Sequence, residues 1–305
     1  MTRCVHVARK FRRKHAFFAV IDSSRRPFSS KQPSNAKTDL RSFHSFVCQL
    51  VDDEKEQSFK EICLSYLRIF VAEFIGSFLY VFFGCACINN LSSFFGVSIC
   101  YALVVGASIQ VFAAISLAHL NPAITLCFYI FGIISLPSSL VYLIAQCLGG
   151  IAGAFTIKDL SVYNPSSIIT KRGTEGNCCT FVGEGVSIGR AFAWEFGQTC
   201  FLILGVCSII HPKNLARLES YPVKMGILIF ALLYSGTSFT STGINPMRSF
   251  GPAVSNQEWE NHWIYWVAPL FASAVASICY HIICLPENGQ DLLKQILRRR
   301  KAIED

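Results

Sequence analysis

Two short segments of this chain join asparagine to proline in a way suited to starting a helix. The first is Asn121-Pro122-Ala123 and the second is Asn245-Pro246-Met247. Asparagine is a favoured N-cap, and proline at the first helical position gives up an amide N–H that would be unpaired anyway. A helix start carries roughly half a positive charge from the macrodipole. Two such starts facing one another would therefore repel cations, which indicates a selective passage rather than a catalytic centre.

A glutamate precedes each Asn-Pro pair at nearly the same distance. Asn121 lies 48 residues after Glu73, and Asn245 lies 50 residues after Glu195. Each glutamate is followed by phenylalanine at the start of an apolar run. These matched intervals indicate an internal repeat, with one copy of the pattern in each half of the chain.

The chain that carries these motifs is too apolar for an ordinary soluble domain. Of its 305 residues 52% are hydrophobic and 15% are charged, and residues 71–157 contain no Lys or Arg. Crossing about 30 Å of hydrocarbon takes roughly 20 helical residues. Apolar runs of that length lie near 68–90, 95–117, 138–157, 189–210, 223–242 and 262–284. We therefore predict an all-α membrane protein with six transmembrane helices.

Each Asn-Pro pair opens an apolar segment that is about half a membrane long. The segments are 121–131 and 244–255, and as helices they would reach about 15 Å. Because each half of the chain holds an odd number of spans, the second half enters the membrane from the opposite face. Irregular backbone at membrane depth is tolerated only inside protein or beside a wet cavity. The pattern predicts two re-entrant half-helices in an inverted repeat, meeting near the midplane around a pore.

The charge distribution separates a central domain from two basic tails. Residues 1–60 hold 13 Lys or Arg, and the positive-inside rule places both tails in the cytoplasm. The predicted units are a disordered tail over 1–62, a channel domain over 63–285 with repeats at about 66–157 and 188–285, and a basic tail over 286–305. The first 30 residues also have the composition of a mitochondrial transit peptide. The plasma membrane is the preferred location, and an intracellular or mitochondrial membrane stays open.

Most of the 14 cysteines lie along the apolar runs, where a free thiol serves as a small apolar residue. Cys85-x-Cys87 lacks the second pair that a zinc site needs, so we expect neither a metal site nor a disulfide framework. The sequence contains no phosphate-binding glycine loop and no Gly-x-Ser-x-Gly motif. No cofactor and no enzyme activity are therefore expected. The basic tails fit anionic lipid better than nucleic acid.

The segments around both Asn-Pro pairs resemble the signature segments of the aquaporin, or major intrinsic protein, family. They read Ser-Leu-Ala-His-Leu-Asn-Pro-Ala-Ile-Thr over 116–125 and Thr-Gly-Ile-Asn-Pro-Met-Arg-Ser-Phe-Gly-Pro-Ala over 242–253. The resemblance runs from about Tyr66 to Leu285. It implies the aquaporin-like fold, passive passage of water or other small neutral solutes, and a homotetramer with one pore in every subunit.

The resemblance also implies roles for individual residues. The carboxamides of Asn121 and Asn245 would donate N–H groups to a passing water, while Glu73 and Glu195 would accept hydrogen bonds from the re-entrant loops. His119 would pack beside the passage or line it. The predicted midplane comprises Asn121, Pro122, Ala123, Asn245, Pro246 and Met247, and the predicted outer filter comprises Tyr101, Leu233, Thr242 and Arg248.

Departures from the family pattern leave the solute open. Leu233 stands where water-selective members usually have histidine, which would favour passage of glycerol, urea or peroxide. Arg248 is followed by Ser249, whereas glycerol facilitators commonly have aspartate there. Met247 replaces the usual alanine, and it could narrow the midplane or pack behind Asn245. The open functions are a water channel, a broader channel for small neutral solutes, and a poorly conducting junctional or scaffold protein.

Overall fold

The computed structural model describes residues 59–90, 93–160, 178–211, 214 and 219–285. The basic carboxy-terminal tail predicted over 286–305 lies outside these residues. So does the amino-terminal tail, apart from its last four residues, which belong to the first helix.

The described residues form eight helices and no strand. In chain order they are α1 (Phe59–Asn90), α2 (Phe94–Ser116), α3 (Pro122–Ile130), α4 (Leu136–Leu160), α5 (Ile188–Ile210), α6 (Tyr221–Thr240), α7 (Pro246–Asn256) and α8 (Ile264–Ile283). Six are long and apolar enough to cross a membrane. The other two, α3 and α7, have 9 and 11 residues and so reach about 14 and 17 Å. The predicted all-α architecture of six spans and two half-helices is confirmed.

The helices pack as two copies of one arrangement. In the first half α1 packs against α4, and in the second half α5 packs against α8. Each half-helix packs against a span of the other half of the chain: α3 contacts α8, and α7 contacts α4. The helices α2 and α6 pack against each other across the middle. This exchange brings the starts of both half-helices to the centre of one bundle.

Glycines allow the half-helix α7 and the helix α1 to approach α4 closely. A methyl group added at Gly153 would meet the Phe78 carbonyl oxygen at 2.6 Å. One added at Gly251 would collide with the Gly150 carbonyl. Membrane helices lack a hydrophobic drive to associate with one another, so small residues that permit backbone contact stabilise their packing.

The chain before each half-helix adopts left-handed backbone at matching positions. The φ angles are 63° at Leu117, 48° at Ala118, 48° at Leu120, 59° at Ser241, 49° at Thr242 and 42° at Ile244. For residues other than glycine this conformation costs on the order of 1–2 kcal/mol each. Neighbouring groups must therefore hold both loops in place, and the buried glutamates described below do so.

The outer surface of the bundle is apolar. Leucine, valine and isoleucine side chains on several spans are more than half exposed, among them Leu103, Val111, Ile227 and Ile282. Such a surface would associate in water but is stable against lipid or a neighbouring subunit. With the six spans, it identifies a multi-pass integral membrane protein.

The prediction that the cysteines of the apolar runs are free packing residues is wrong for Cys85, Cys87 and Cys100. Cys178, which lies outside those runs, is disulfide-bonded as well. Disulfides join Cys85 to Cys178 and Cys87 to Cys100. The first pair is separated by 93 residues, and no local pattern indicates that the segment before α5 contacts α1. The other pair links the last turn of α1 to the second turn of α2.

Candidate functional site

Each half-helix begins with an asparagine that caps it from outside. The Asn121 side-chain oxygen accepts from the Ala123 amide at 2.8 Å. The Asn245 oxygen accepts from the Met247 amide at 3.1 Å and from the Arg248 amide at 3.4 Å. Proline occupies the first turn of both helices. Both starts therefore have the geometry that the Asn-Pro pairs predict.

The two asparagines also tie the half-helices to each other. The Asn121 amide nitrogen donates to the Ile244 carbonyl at 3.0 Å, and the Asn245 amide nitrogen donates to the Leu120 carbonyl at 2.8 Å. In each case the acceptor is the residue that precedes the opposite asparagine. This reciprocal pair fixes both helix starts at one level of the bundle. It also leaves one further N–H on each carboxamide beyond this bond.

Glu73 on α1 holds the loop before α3. Its carboxylate oxygens accept from the Ser116 hydroxyl at 2.6 Å, the His119 amide at 3.0 Å and the Leu120 amide at 2.8 Å. They also accept from the Gln146 side chain at 2.8 Å. The carboxylate is completely buried, so these donors take the place of water.

Glu195 on α5 holds the loop before α7 in the same manner. Its carboxylate accepts from the Thr240 hydroxyl at 2.6 Å, the Gly243 amide at 2.8 Å and the Ile244 amide at 2.7 Å. These donors occupy the same positions relative to Asn245 that the donors to Glu73 occupy relative to Asn121. Both glutamates therefore support the strained loops and do not face a solute.

Arg248 lies two residues into the first turn of α7 and is 3% exposed. Its Nη1 donates to the Cys178 carbonyl at 2.8 Å. The guanidinium carbon lies 5.4 Å from the centre of the Tyr101 ring, a distance suited to a cation–π interaction. The structure thus joins two of the predicted filter residues directly and adds a third partner, Cys178, that sequence reasoning did not identify.

The other two predicted filter residues lie on α6 and just beyond it. Leu233 is 6% exposed on α6, and Thr242 is 1% exposed in the left-handed loop before α7. The Thr242 hydroxyl has no hydrogen-bond partner among the described residues. Their joint role with Arg248 remains a prediction.

Comparison with known proteins agrees with this geometry. The family described as major intrinsic protein matches residues 61–280. Aquaporin-5 of Ovis aries is 31% identical over 235 residues, which cover 75% of this chain and 86% of that protein. The lens fiber major intrinsic protein of Bos taurus is 30% identical over 227 residues, which cover 73% of this chain and 83% of that protein. The chain belongs to the major intrinsic protein family.

Membership in the major intrinsic protein family makes the chain a passive membrane channel rather than an enzyme, as the sequence predicted. A solved structure agrees on the fold. The aquaglyceroporin from Plasmodium falciparum superposes with a TM-score of 0.65 at 23% identity, covering 73% of this chain and 98% of that one. At that identity the likeness concerns the fold alone.

Met247, the departure from the family's usual alanine, is wholly buried. A methyl group added at Gly150 on α4 would meet the Met247 sulfur at 2.7 Å. The thioether therefore fills space between α7 and α4, behind the Asn245 cap. A flexible methionine fits this gap without requiring a change in the half-helix.

His119 precedes the Asn121 cap and is 2% exposed. Its ring lies 4.3 Å from the Tyr142 ring and 4.2 Å from the Phe128 ring, and Nδ1 is 3.2 Å from the Thr125 hydroxyl. Across the described part of the chain, no group of three or more His, Cys, Asp or Glu is placed to hold a metal ion. The ring therefore packs against the first half-helix, and its predicted role in lining the passage stays a prediction.

Two further residues at the site were missed by sequence reasoning. Tyr80 on α1 packs edge-on against Tyr101, with ring centres 5.4 Å apart, and its hydroxyl interacts with the Asn245 carboxamide. Gly84, one turn later, has no side chain, and the Tyr101 ring fills that space. A tyrosine at the seventh position after Glu73 was the available signal, but in an apolar run it resembled ordinary packing.

Proposed function

We propose that the chain conducts water passively through a pore in each subunit and excludes protons at the paired helix starts. The reciprocal hydrogen bonds from Asn121 to the Ile244 carbonyl and from Asn245 to the Leu120 carbonyl carry this proposal. They bring two positive helix ends to one level, where a cation or hydronium would be repelled. The second N–H of the Asn121 carboxamide can orient a water oxygen, while the Asn245 carboxamide also interacts with the Tyr80 hydroxyl. Pore width, lining donors and half-helix ends are the general basis of such selectivity.

Buried polar atoms support a wet path through the predicted filter. The Tyr101 hydroxyl, the Thr242 hydroxyl and the Arg248 Nε have no hydrogen-bond partner among the described residues. Nearly all buried polar groups in proteins are paired, with water as a common partner. The predicted filter residues are also only 1 to 6% exposed, so the path is narrow. Passing water would pair with these atoms in turn.

A broader solute range is the second candidate, and Leu233 favours it. An apolar side chain in place of histidine removes a donor and leaves one wall of the filter able to contact a carbon chain. Ser249, which follows Arg248 in place of the aspartate of glycerol facilitators, favours water. Purified protein in liposomes separates these candidates: sucrose drives water flux alone, while glycerol, urea and peroxide gradients report entry of each solute. Fast shrinkage in sucrose without glycerol entry supports a water-selective channel.

Leu233→His is expected to lower any glycerol flux while sparing water. The imidazole narrows the filter and offers an N–H donor. Water can accept this hydrogen bond within the narrower opening more readily than glycerol can. We expect the glycerol-to-water permeability ratio to fall about tenfold, the scale of one lost favourable contact. The measurement is stopped-flow light scattering on matched liposomes, with Leu204→His, an exposed position on α5, as the control. An unchanged ratio in folded Leu233→His would remove Leu233 from the filter.

The assembly and the location follow from the same proposal. We propose a homotetramer in which the apolar outer surface faces lipid and neighbouring subunits, with the plasma membrane as the preferred location. Both termini are assigned to the cytoplasm, because the Lys and Arg residues cluster in the two tails. An intracellular or mitochondrial membrane is the alternative location, and anionic lipid rather than nucleic acid is the partner of the basic tails.

A further inference from the structure

The Cys85–Cys178 disulfide lies beside the arginine of the predicted filter. Cys85 belongs to α1 and Cys178 to the segment before α5, and both are buried. The Cys178 backbone carbonyl is the acceptor of the Arg248 Nη1 hydrogen bond at 2.8 Å. One residue is thus bonded covalently to α1 and hydrogen-bonded to α7.

The backbone at Cys178 is held in a conformation that cysteine does not favour. Its φ is 51°, in the left-handed region that residues other than glycine seldom adopt. In this conformation its carbonyl lies within hydrogen-bonding distance of the Arg248 guanidinium. Because the conformation is unfavourable for cysteine, we expect the backbone and its carbonyl to move when a covalent restraint is removed.

The disulfide and the guanidinium also share a neighbour. Gly84, which precedes Cys85, provides the space that the Tyr101 ring fills, and this ring lies under Arg248. The guanidinium therefore has the Tyr101 ring at one face and the Cys178 carbonyl at its edge. The disulfide and Gly84 connect α1 to both of these partners.

This segment is also held by hydrogen bonds, each weaker than the covalent bond, among them one from the Gly183 amide to the Phe239 carbonyl at 2.8 Å. The Cys179 thiol donates to the Pro252 carbonyl at 3.5 Å, and the Phe181 amide donates to the Ser241 hydroxyl at 3.3 Å. Burial raises the pKa of the Cys179 thiol to about 11, so it is protonated at neutral pH. A protonated thiol is a poor nucleophile, and exchange between Cys179 and the neighbouring disulfide is therefore disfavoured.

We propose that the Cys85–Cys178 disulfide positions the selectivity filter: it fixes the carbonyl that orients Arg248 and thereby determines which solutes are excluded. The inference rests on the proposed function in taking Arg248 as a filter residue. Loss of the bond releases the guanidinium from its acceptor, so the opening widens and its donors point in varying directions. Water passes in either case, and larger neutral solutes gain access.

The test compares two double variants of the full-length protein. Cys85→Ser with Cys178→Ser removes the proposed positioning bond, while Cys87→Ser with Cys100→Ser removes the other disulfide and is the matched control. In liposomes we expect the glycerol-to-water permeability ratio to rise roughly tenfold in the first variant, the scale of one charge-assisted hydrogen bond, and to stay within about twofold of wild type in the control. An equal rise in both variants, or none in the first, overturns the proposal.

A second measurement does not depend on conduction. Methylglyoxal, a small dicarbonyl that modifies arginine, is added from outside, and modification of Arg248 is followed by peptide mass spectrometry. Faster modification in the first variant than in wild type and control supports the proposal, and equal rates overturn it. If wild-type liposomes conduct nothing, the proposed function fails, while this comparison still decides the inference.

Reduction provides a route that does not depend on folding of the first variant. In the Cys87→Ser, Cys100→Ser protein, the positioning bond is the one disulfide left among the described residues. A phosphine and water reduce it to two thiols, and the phosphine is oxidised to its oxide. We expect Arg248 modification and the permeability ratio to rise together with the appearance of free Cys85 and Cys178 thiols. If the thiols form and neither Arg248 modification nor the permeability ratio changes, the bond has no positioning role. A peptide map of the unreduced protein that lacks the Cys85–Cys178 link also contradicts the proposal.

Discussion

Replacing Glu195 with alanine is expected to leave little folded channel. The carboxylate accepts hydrogen bonds from Thr240, Gly243 and Ile244 in a completely buried site. Each donor left without a partner costs about 1–3 kcal/mol, so the expected destabilisation is about 3 kcal/mol or more. The left-handed backbone at Ile244 would then lose its restraint, and the half-helix would no longer reach its partner.

Thermal unfolding of the purified protein in detergent, followed by tryptophan fluorescence and size-exclusion chromatography, measures this loss. Glu184→Ala removes an exposed glutamate from the segment before α5 and is the matched control, with no expected change. Glu195→Gln keeps one oxygen acceptor but places an amide N–H against a backbone donor, so its stability should fall between wild type and alanine. A Glu195→Ala protein as stable as wild type would show that the loop is held by other contacts.

Replacing Arg248 with alanine is expected to give the largest change in selectivity. The substitution removes the fixed positive charge of the predicted filter and widens the opening beside Tyr101. We expect glycerol permeability to rise at least about tenfold, which corresponds to about 1.4 kcal/mol. Cation exclusion should weaken but not disappear, because the helix starts still repel cations. Water permeability should remain near that of wild type, because the paired asparagines are unchanged.

The matched variant for this experiment is Arg248→Lys. Lysine keeps the charge but lacks the planar guanidinium that can hold the Cys178 carbonyl while lying over the Tyr101 ring. Cation exclusion should therefore persist in the lysine variant, while glycerol selectivity weakens. If alanine and wild type exclude glycerol and cations equally, Arg248 only anchors the Cys178 segment and the filter lies elsewhere.

Much of the fold was predictable because its signals are local. The six spans follow from hydropathy, and the half-helices follow from Asn121 and Asn245, whose capping role depends on the residues next to them. The spacing from Glu73 and Glu195 exposed the repeat. An inverted repeat also implies that the two half-helices meet. The hydrogen bond from each asparagine to the loop before the opposite half-helix agrees with that prediction.

The rest of the site depends on contacts between distant parts of the chain. Cys178 meets Cys85 and Arg248 only because the segment before α5 folds back over the bundle, and no periodicity encodes that path. Leu117 has a left-handed backbone, although leucine prefers a negative φ. The hydrogen bonds that Glu73 accepts from this loop overcome that preference. Tyr80 was missed for a related reason, since its position beside Asn245 comes from tertiary packing.

The most direct test of a channel that passes water and excludes protons is to measure both fluxes in the same liposomes. Wild-type protein is reconstituted with an internal pH-sensitive dye, shrinkage in sucrose reports water, and the response to an imposed pH gradient with potassium and valinomycin reports protons. We predict water permeability at least about tenfold above that of empty vesicles, which corresponds to about 1.4 kcal/mol in barrier height, with proton flux equal to that of empty vesicles. Water permeability no higher than that of empty vesicles, or proton flux that increases together with water flux, would contradict the proposed role of Asn121 and Asn245.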